Sequence, residues 1–118
     1  MSDKILFKDL TVVIPTLGLR NLYNVITSLN SSIKPHQIII SVYEKNFTNV
    51  SKYLEYNNIK IIKNKIKGQV NQRINGFKSV QTKYVLQLDD DCEIDSSSIV
   101  NLIKFKKNIG VESSIAPI

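Results

Sequence analysis

The chain has 118 residues, the length of one domain with one hydrophobic core. It is 42% hydrophobic and 22% charged, which suits a folded globular domain and excludes a disordered tail. No apolar stretch approaches the ~20 residues that span a bilayer, and Met1-Ser2-Asp3-Lys4 lacks the apolar core of a signal peptide, so a cytoplasmic location is expected. The net charge of +6 suits an anionic partner such as a nucleotide, a nucleic acid or an acidic membrane surface, without choosing among them. The single Cys92 has no partner for an internal disulfide, in keeping with a reducing compartment, and reads as a small packing residue. The single histidine, His36, sits beside Pro35 and excludes a multi-histidine metal site.

In chain order, Thr11-Val12-Val13-Ile14 is a β-branched run closed by Pro15, which cannot donate to a sheet ladder; it predicts a buried first strand. After the loop Thr16-Leu17-Gly18, the residues Leu19, Leu22, Val25, Ile26 and Leu29 recur at helical spacing and predict an amphipathic helix over about 20–29, stopped by Asn30-Ser31-Ser32. A second strand is expected over 37–43, around Ile38-Ile39-Ile40. Asn46 or Thr48 then caps a second helix with Phe47, Val50 and Leu54 on one face, ended by Asn57-Asn58. A short third strand follows over 59–62, then a basic loop with Lys63, Lys65 and Lys67, closed by Gly68.

A third helix is expected over 69–80 with Val70, Ile74, Phe77 and Val80 turned inward. Gly76 inside it is unfavourable by up to ~1 kcal/mol relative to alanine, which points to close packing there. Asp95-Ser96-Ser97-Ser98 is an N-cap cluster before a helix carrying Ile99, Leu102 and Ile103, with Lys104 to Lys107 near its end and Gly110 as its stop; Ser114 to Ile118 open one more strand. Strands and helices alternate throughout, so the fold class is α/β with a mostly parallel sheet. Neither a G-x-G-x-x-G nor a P-loop signature is present.

The stretch Tyr84-Val85-Leu86-Gln87-Leu88-Asp89-Asp90-Asp91 carries the strongest chemical signal. An apolar strand ends there in three carboxylates, at the sheet edge where open α/β sheets bind ligands. Adjacent carboxylates repel unless a cation or water screens them, and hard divalent cations take oxygen ligands and often bridge carboxylate to phosphate. The same residues also fit a solvated acidic turn leading into a helix.

The order of these pieces resembles the nucleotide-sugar-binding half of GT-A glycosyltransferases of the family 2 type. The carrying residues are Val12-Val13-Ile14-Pro15-Thr16 with Arg20 and Leu22; Gly68 with Arg73 and Gly76; and Leu88-Asp89-Asp90-Asp91 with Asp95. The resemblance runs from about Leu10 to Pro117 and implies a three-layer GT-A sandwich forming one nucleotide-sugar-binding domain over 1–118. It implies that Pro15, Thr16 and Arg73 contact a nucleotide-sugar donor, uridine-based by expectation. In the Asp-x-Asp motif, Asp91 is the implied principal ligand of Mn2+ or Mg2+, with Asp89 and Asp90 on ribose, sugar or metal-bound water. The implied activity is a hexosyltransferase-like transfer to a glycan or lipid-linked acceptor, with peripheral membrane association of the parent; self-association of the chain is expected because a missing half would expose apolar surface, and no nucleic-acid partner is expected.

Three departures stand beside the resemblance. The aspartate that commonly ends the family's second strand is replaced by Ile40-Ser41-Val42-Tyr43-Glu44, leaving Ser41 or Glu44 as substitutes in the donor site. The expected Arg-Asn pair reads Arg73-Ile74-Asn75. The carboxylate that would deprotonate the acceptor has no evident counterpart, so the acceptor-binding half is expected to be missing and the chain alone to be inactive. A sugar-nucleotide nucleotidyltransferase would need more glycine after the first strand. A non-catalytic α/β interaction module, a degenerate transferase remnant, is the alternative from a different class.

Overall fold

The computed structural model describes residues 9–32, 34–90 and 115–117. The elements are β1 (Leu10–Thr16), α1 (Tyr23–Ser32), β2 (Gln37–Tyr43), α2 (Phe47–Val50), β3 (Ile59–Asn64), α3 (Gln69–Lys78), β4 (Tyr84–Gln87) and β5 (Ile115–Pro117). The sheet order is β3-β2-β1-β4-β5. The first four strands are mutually parallel, with registers Val12↔Ile38, Val12↔Leu86 and Ile40↔Ile61, and β5 returns antiparallel to β4 through Val85↔Ala116. The expected last strand is therefore present at the sheet's edge, where a proline such as Pro117 is tolerated.

The alternation along β1 and β2 decides which face each residue serves. Val12, Ile14, Ile38, Ile40 and Val42 point to one face and pack with Leu22, Val25, Ile26 and Leu29 of the α1 segment and with Val50 and Tyr53. Val13 and Ile39 point to the other face and form a smaller cluster with Val80, flanked by Ile62 and Val85. Helices thus cover both faces of a buried parallel sheet, and the three-layer α/β architecture is as expected.

Several local expectations are corrected. The first helix begins at Tyr23 rather than near Arg20, because the Asn21 side chain accepts from Tyr23 N at 2.9 Å and Leu22 N donates to the Tyr53 hydroxyl at 2.7 Å. Leu19 consequently stands outside the helix and is 73% exposed. The second helix is one α-turn between 3-10 segments at Glu44–Asn46 and Ser51–Glu55; it buries Val50 and Tyr53 and leaves Leu54 exposed. β3 runs on to Asn64, so Lys63 belongs to a strand, and its ammonium lies 4.4 Å from the centre of the Phe47 ring.

The largest correction is α3. Val70, Ile74 and Phe77 face outward, and the buried positions of the helix are Gln72 and Gly76. Val80 is buried, just past the helix end. A Cβ on Gly76 would stand 2.6 Å from Val13 Cγ1, so the helix lies against β1 at a distance only glycine permits. The expected helix over 95–110, with Cys92 and Asp95, lies outside the described residues.

Candidate functional site

β1 occupies the middle of the sheet. The chain steps from β1 to β2 to β3 on one side, and α3 then carries it back to β4 on the other. The chain leaves β1 toward β2 while β4 lies on the opposite side of β1, and at such a switch in strand order a crevice forms at the carboxyl ends of the two strands. A cleft of about 640 Å³ opens there. One wall is the end of β1 and its following loop, through Pro15, Thr16, Leu17, Leu19 and Arg20. The opposite wall is the approach to α3 and its first turn, through Lys67, Gly68, Gln69 and Gln72, and Asp90 contributes from beyond β4.

Thr16 and Asp90 join the two strand ends. The Thr16 hydroxyl donates to Asp90 Oδ2 at 2.7 Å and accepts from Gly18 N at 3.0 Å, so its single proton and one lone pair are both used. Gly18 has φ +83°, and a Cβ there would crowd Asn46 and Val42 at about 3.0 Å, so the loop beyond Thr16 needs a glycine. Arg20 Nε lies 3.7 Å from Asp90 Oδ1, with the arginine 61% exposed. Both oxygens of Asp90 thus face protein donors. Asp89 differs: its hydrogen bonds, from Gln87 Nε2 at 2.9 Å and Gln69 Nε2 at 3.4 Å, both fall on Oδ1.

Beneath the cleft lies a buried polar layer that sequence patterning did not reveal. Gln72 donates through Nε2 to the carbonyls of Thr16 and of Ser41, the latter at 3.0 Å, while Oε1 accepts from Gly68 N at 3.4 Å. The Ser41 hydroxyl donates to the Gln72 carbonyl at 2.5 Å and accepts from Asn64 Nδ2 at 2.9 Å. Asn64 also donates to the Val42 carbonyl at 3.0 Å and accepts from Asn75 Nδ2 at 2.6 Å. Where parallel strands end, their carbonyls lose ladder partners, and a buried carbonyl without a donor is costly. Gln72 and Asn64 supply those donors and fix the start of α3 against the ends of β1, β2 and β3.

Of the residues singled out from sequence, Pro15, Thr16 and Asp90 line the cleft, and Asp89 adjoins it through Gln69. Ser41 is fully buried below it, with its hydroxyl engaged by Gln72 and Asn64. Arg73 is half-buried on α3 outside the lining, with Nε buried and without a hydrogen-bond partner among the described residues. Asp91 lies outside the described residues. Among those described, no three His, Cys, Asp or Glu side chains gather into a metal-sized group. Asp89 Oδ2 nevertheless faces no described donor, and a carboxylate oxygen is the kind of ligand that a hard divalent cation such as Mn2+ or Mg2+ takes. Sequence reasoning missed Gln72, Asn64 and Gln69 as site residues, whereas Lys67 belongs to the basic loop that the sequence reads as attracting phosphate. The available signal was a glutamine and an asparagine placed where a helix and a strand meet the site loops.

The fold is shared with several solved structures. S. aureus TarS 1-349 matches with a TM-score of 0.67 at 18% identity, over 85% of this chain and 32% of that one. The same protein in complex with UDP-GlcNAc matches at 0.64, over 85% of this chain and 31% of that one. The 4-diphosphocytidyl-2C-methyl-D-erythritol synthase of Anaerococcus prevotii matches at 0.72 and 15% identity, over 85% of this chain and 52% of that one. The chain thus spans about a third of TarS 1-349 and half of the synthase, and at these identities the likeness is one of fold. No curated protein gives a match. The model of glycosyl transferase family 2 matches residues 11–118, and the chain belongs to that family.

Proposed function

We propose that the chain is the donor-binding domain of a metal-dependent glycosyltransferase. It takes a UDP-linked sugar, and the parent enzyme passes that sugar to a glycan or lipid-linked acceptor. Family membership supports the reaction class. The observation that carries the binding reading is the cleft at the β1–β4 switch point, joined across by the Thr16–Asp90 hydrogen bond and flanked by the cations Arg20 and Lys67. In this reading the Pro15-Thr16 shelf supports the nucleoside, while Arg20 and Lys67 attract the diphosphate. The first-turn N–H groups of α3 add partial positive charge on the same wall. Ser41 acts at one remove, by fixing Gln72. Arg73, outside the lining, yields the phosphate role to Arg20 and Lys67.

Asp89 and Asp91 are the residues proposed to hold Mn2+ or Mg2+, which when bound neutralises charge on the departing nucleoside diphosphate. Asp90, already paired with Thr16 and Arg20, instead sets the position of the Thr16 shelf. The acceptor's general base is assigned to none of the described residues. Titration calorimetry of UDP with and without Mn2+, on the wild type, Asp89→Ala and Asp91→Ala, tests the reading. Metal-dependent binding that disappears in both variants supports it. A folded wild type that binds UDP in neither condition overturns it and favours a non-catalytic interaction module.

A further inference from the structure

Charge along the chain is divided unevenly. From Tyr56 to Leu88 there are seven cations (Lys60, Lys63, Lys65, Lys67, Arg73, Lys78 and Lys83) and no aspartate or glutamate, so all ten acids lie elsewhere. Lys65, Lys67 and Lys78 are exposed. Between them runs an apolar stripe: Val70 and Ile74 stand one turn apart on α3 with Phe77 three residues on, at 68%, 46% and 39% exposure. Ile66, in the loop that leads into the helix, is 66% exposed. Helix α3 is therefore amphipathic in reverse, with Gln72 and Gly76 against the sheet and its apolar residues turned outward among lysines.

We propose that this outward face of α3, with the Lys65–Lys67 loop, docks the protein on an anionic lipid membrane. An exposed apolar stripe flanked by lysines, on a helix and loop that carry no acid of their own, is the composition of an interfacial helix: the aliphatic side chains enter the headgroup–acyl boundary while the cations meet lipid phosphates. No described helix is long and apolar enough to cross a membrane, so the contact lies along the surface. A second copy of the chain is disfavoured, because a two-fold contact would set these cation-rich patches against each other. Nucleic acid would satisfy the lysines but leave Ile66, Val70 and Ile74 without a partner, and Phe77 is the single aromatic residue of the stripe. Lys67 and Gln69 belong to the cleft wall, so the docking face borders the cleft mouth. Where the donor reading also holds, a lipid-linked acceptor would be presented at that mouth; the docking itself does not rest on that reading.

The test is co-sedimentation of the chain, without nucleotide, with vesicles of phosphatidylcholine and with vesicles of equal parts phosphatidylcholine and phosphatidylglycerol. The chain is expected to bind the anionic vesicles and to ignore the neutral ones. Lys65→Gln with Lys78→Gln should weaken partitioning about thirtyfold at low salt, the effect of two basic residues at a lipid surface. Val70→Ser with Ile74→Ser should weaken it about tenfold through lost apolar burial. All four residues lie outside the cleft lining, so circular dichroism and UDP titration should match the wild type in both double variants. Failure to bind anionic vesicles, or binding unchanged in the Val70/Ile74 variant, overturns the proposal. Equal affinity for a DNA duplex, untouched by that variant, overturns it in favour of nucleic acid. A dimer abolished by that variant overturns it in favour of self-association.

Discussion

The two faces of the sheet are built on opposite rules. On the α1 face the helical segment sends Leu22, Val25, Ile26 and Leu29 into a continuous apolar cluster with β1 and β2. On the α3 face the buried helix positions are Gln72 and Gly76, the glycine touching Val13 and the glutamine joining the ends of β1 and β2. The first face stabilises by removing apolar surface from water. The second positions a helix start over a cleft, and it does so with hydrogen bonds because the groups it must satisfy are carbonyls.

The contrast predicts different consequences for core changes on each side. Ile26→Ala, on the apolar face, should cost about 2–5 kcal/mol in urea unfolding while leaving the nucleotide affinity of the folded protein intact. Gln72→Leu, similar in size but without donors, strands the buried carbonyls of Thr16 and Ser41. It should cost about 2–3 kcal/mol and, unlike Ile26→Ala, also weaken UDP binding, because Gln72 holds one cleft wall to the other. Equal effects of the two variants on UDP affinity would erase the proposed division of labour.

Gly76→Ala probes how closely α3 approaches the sheet. The added methyl gains up to ~1 kcal/mol in helix propensity but meets Val13 Cγ1 at 2.6 Å. Overpacking of that kind costs about 1–3 kcal/mol, so a net loss of up to roughly 2 kcal/mol is expected. A companion Val13→Ala change should recover part of the loss in a double-mutant cycle, since the two sites share one contact.

The α1 face was legible because it follows the rule that sequence patterning reads. β-branched runs at Val12-Val13-Ile14 and Ile38-Ile39-Ile40 and the helical recurrence of Leu22, Val25, Ile26 and Leu29 predict strands and a helix that the structure contains, with β2 at its expected bounds. The register of the first helix was off because its start is set by Asn21 and by the distant Tyr53 hydroxyl, contacts that periodicity does not carry. On the α3 face the same rule misleads. Val70, Ile74 and Phe77 form a sound apolar stripe, but the buried carbonyls of Thr16 and Ser41 take side-chain donors from Gln72, and satisfying those outweighs burying the stripe. The cleft itself was legible in outline, through Pro15, Thr16 and the acidic strand end. Gln72, its central support, was not, since an isolated glutamine in a helix gives no pattern.

Val70→Ser is the smallest expected effect and separates the two readings of α3 most cleanly. Were Val70 part of a core, as its spacing with Ile74 and Phe77 predicts, replacing its methyls with a hydroxyl would cost about 2 kcal/mol or more, from lost apolar burial and a buried polar group. At 68% exposure the side chain gives up little water contact on folding, and surface substitutions of this kind fall within about ±0.5 kcal/mol. Urea unfolding of Val70→Ser beside the wild type therefore decides the orientation of the helix without reference to any ligand. A midpoint shift as large as that of Gly76→Ala would turn the stripe inward, and both the polar layer and the exposed docking face would lose their basis. An unchanged midpoint leaves Gln72 and Gly76 as the residues that hold α3 to the sheet, and the apolar stripe as surface whose exposure folding stability does not explain.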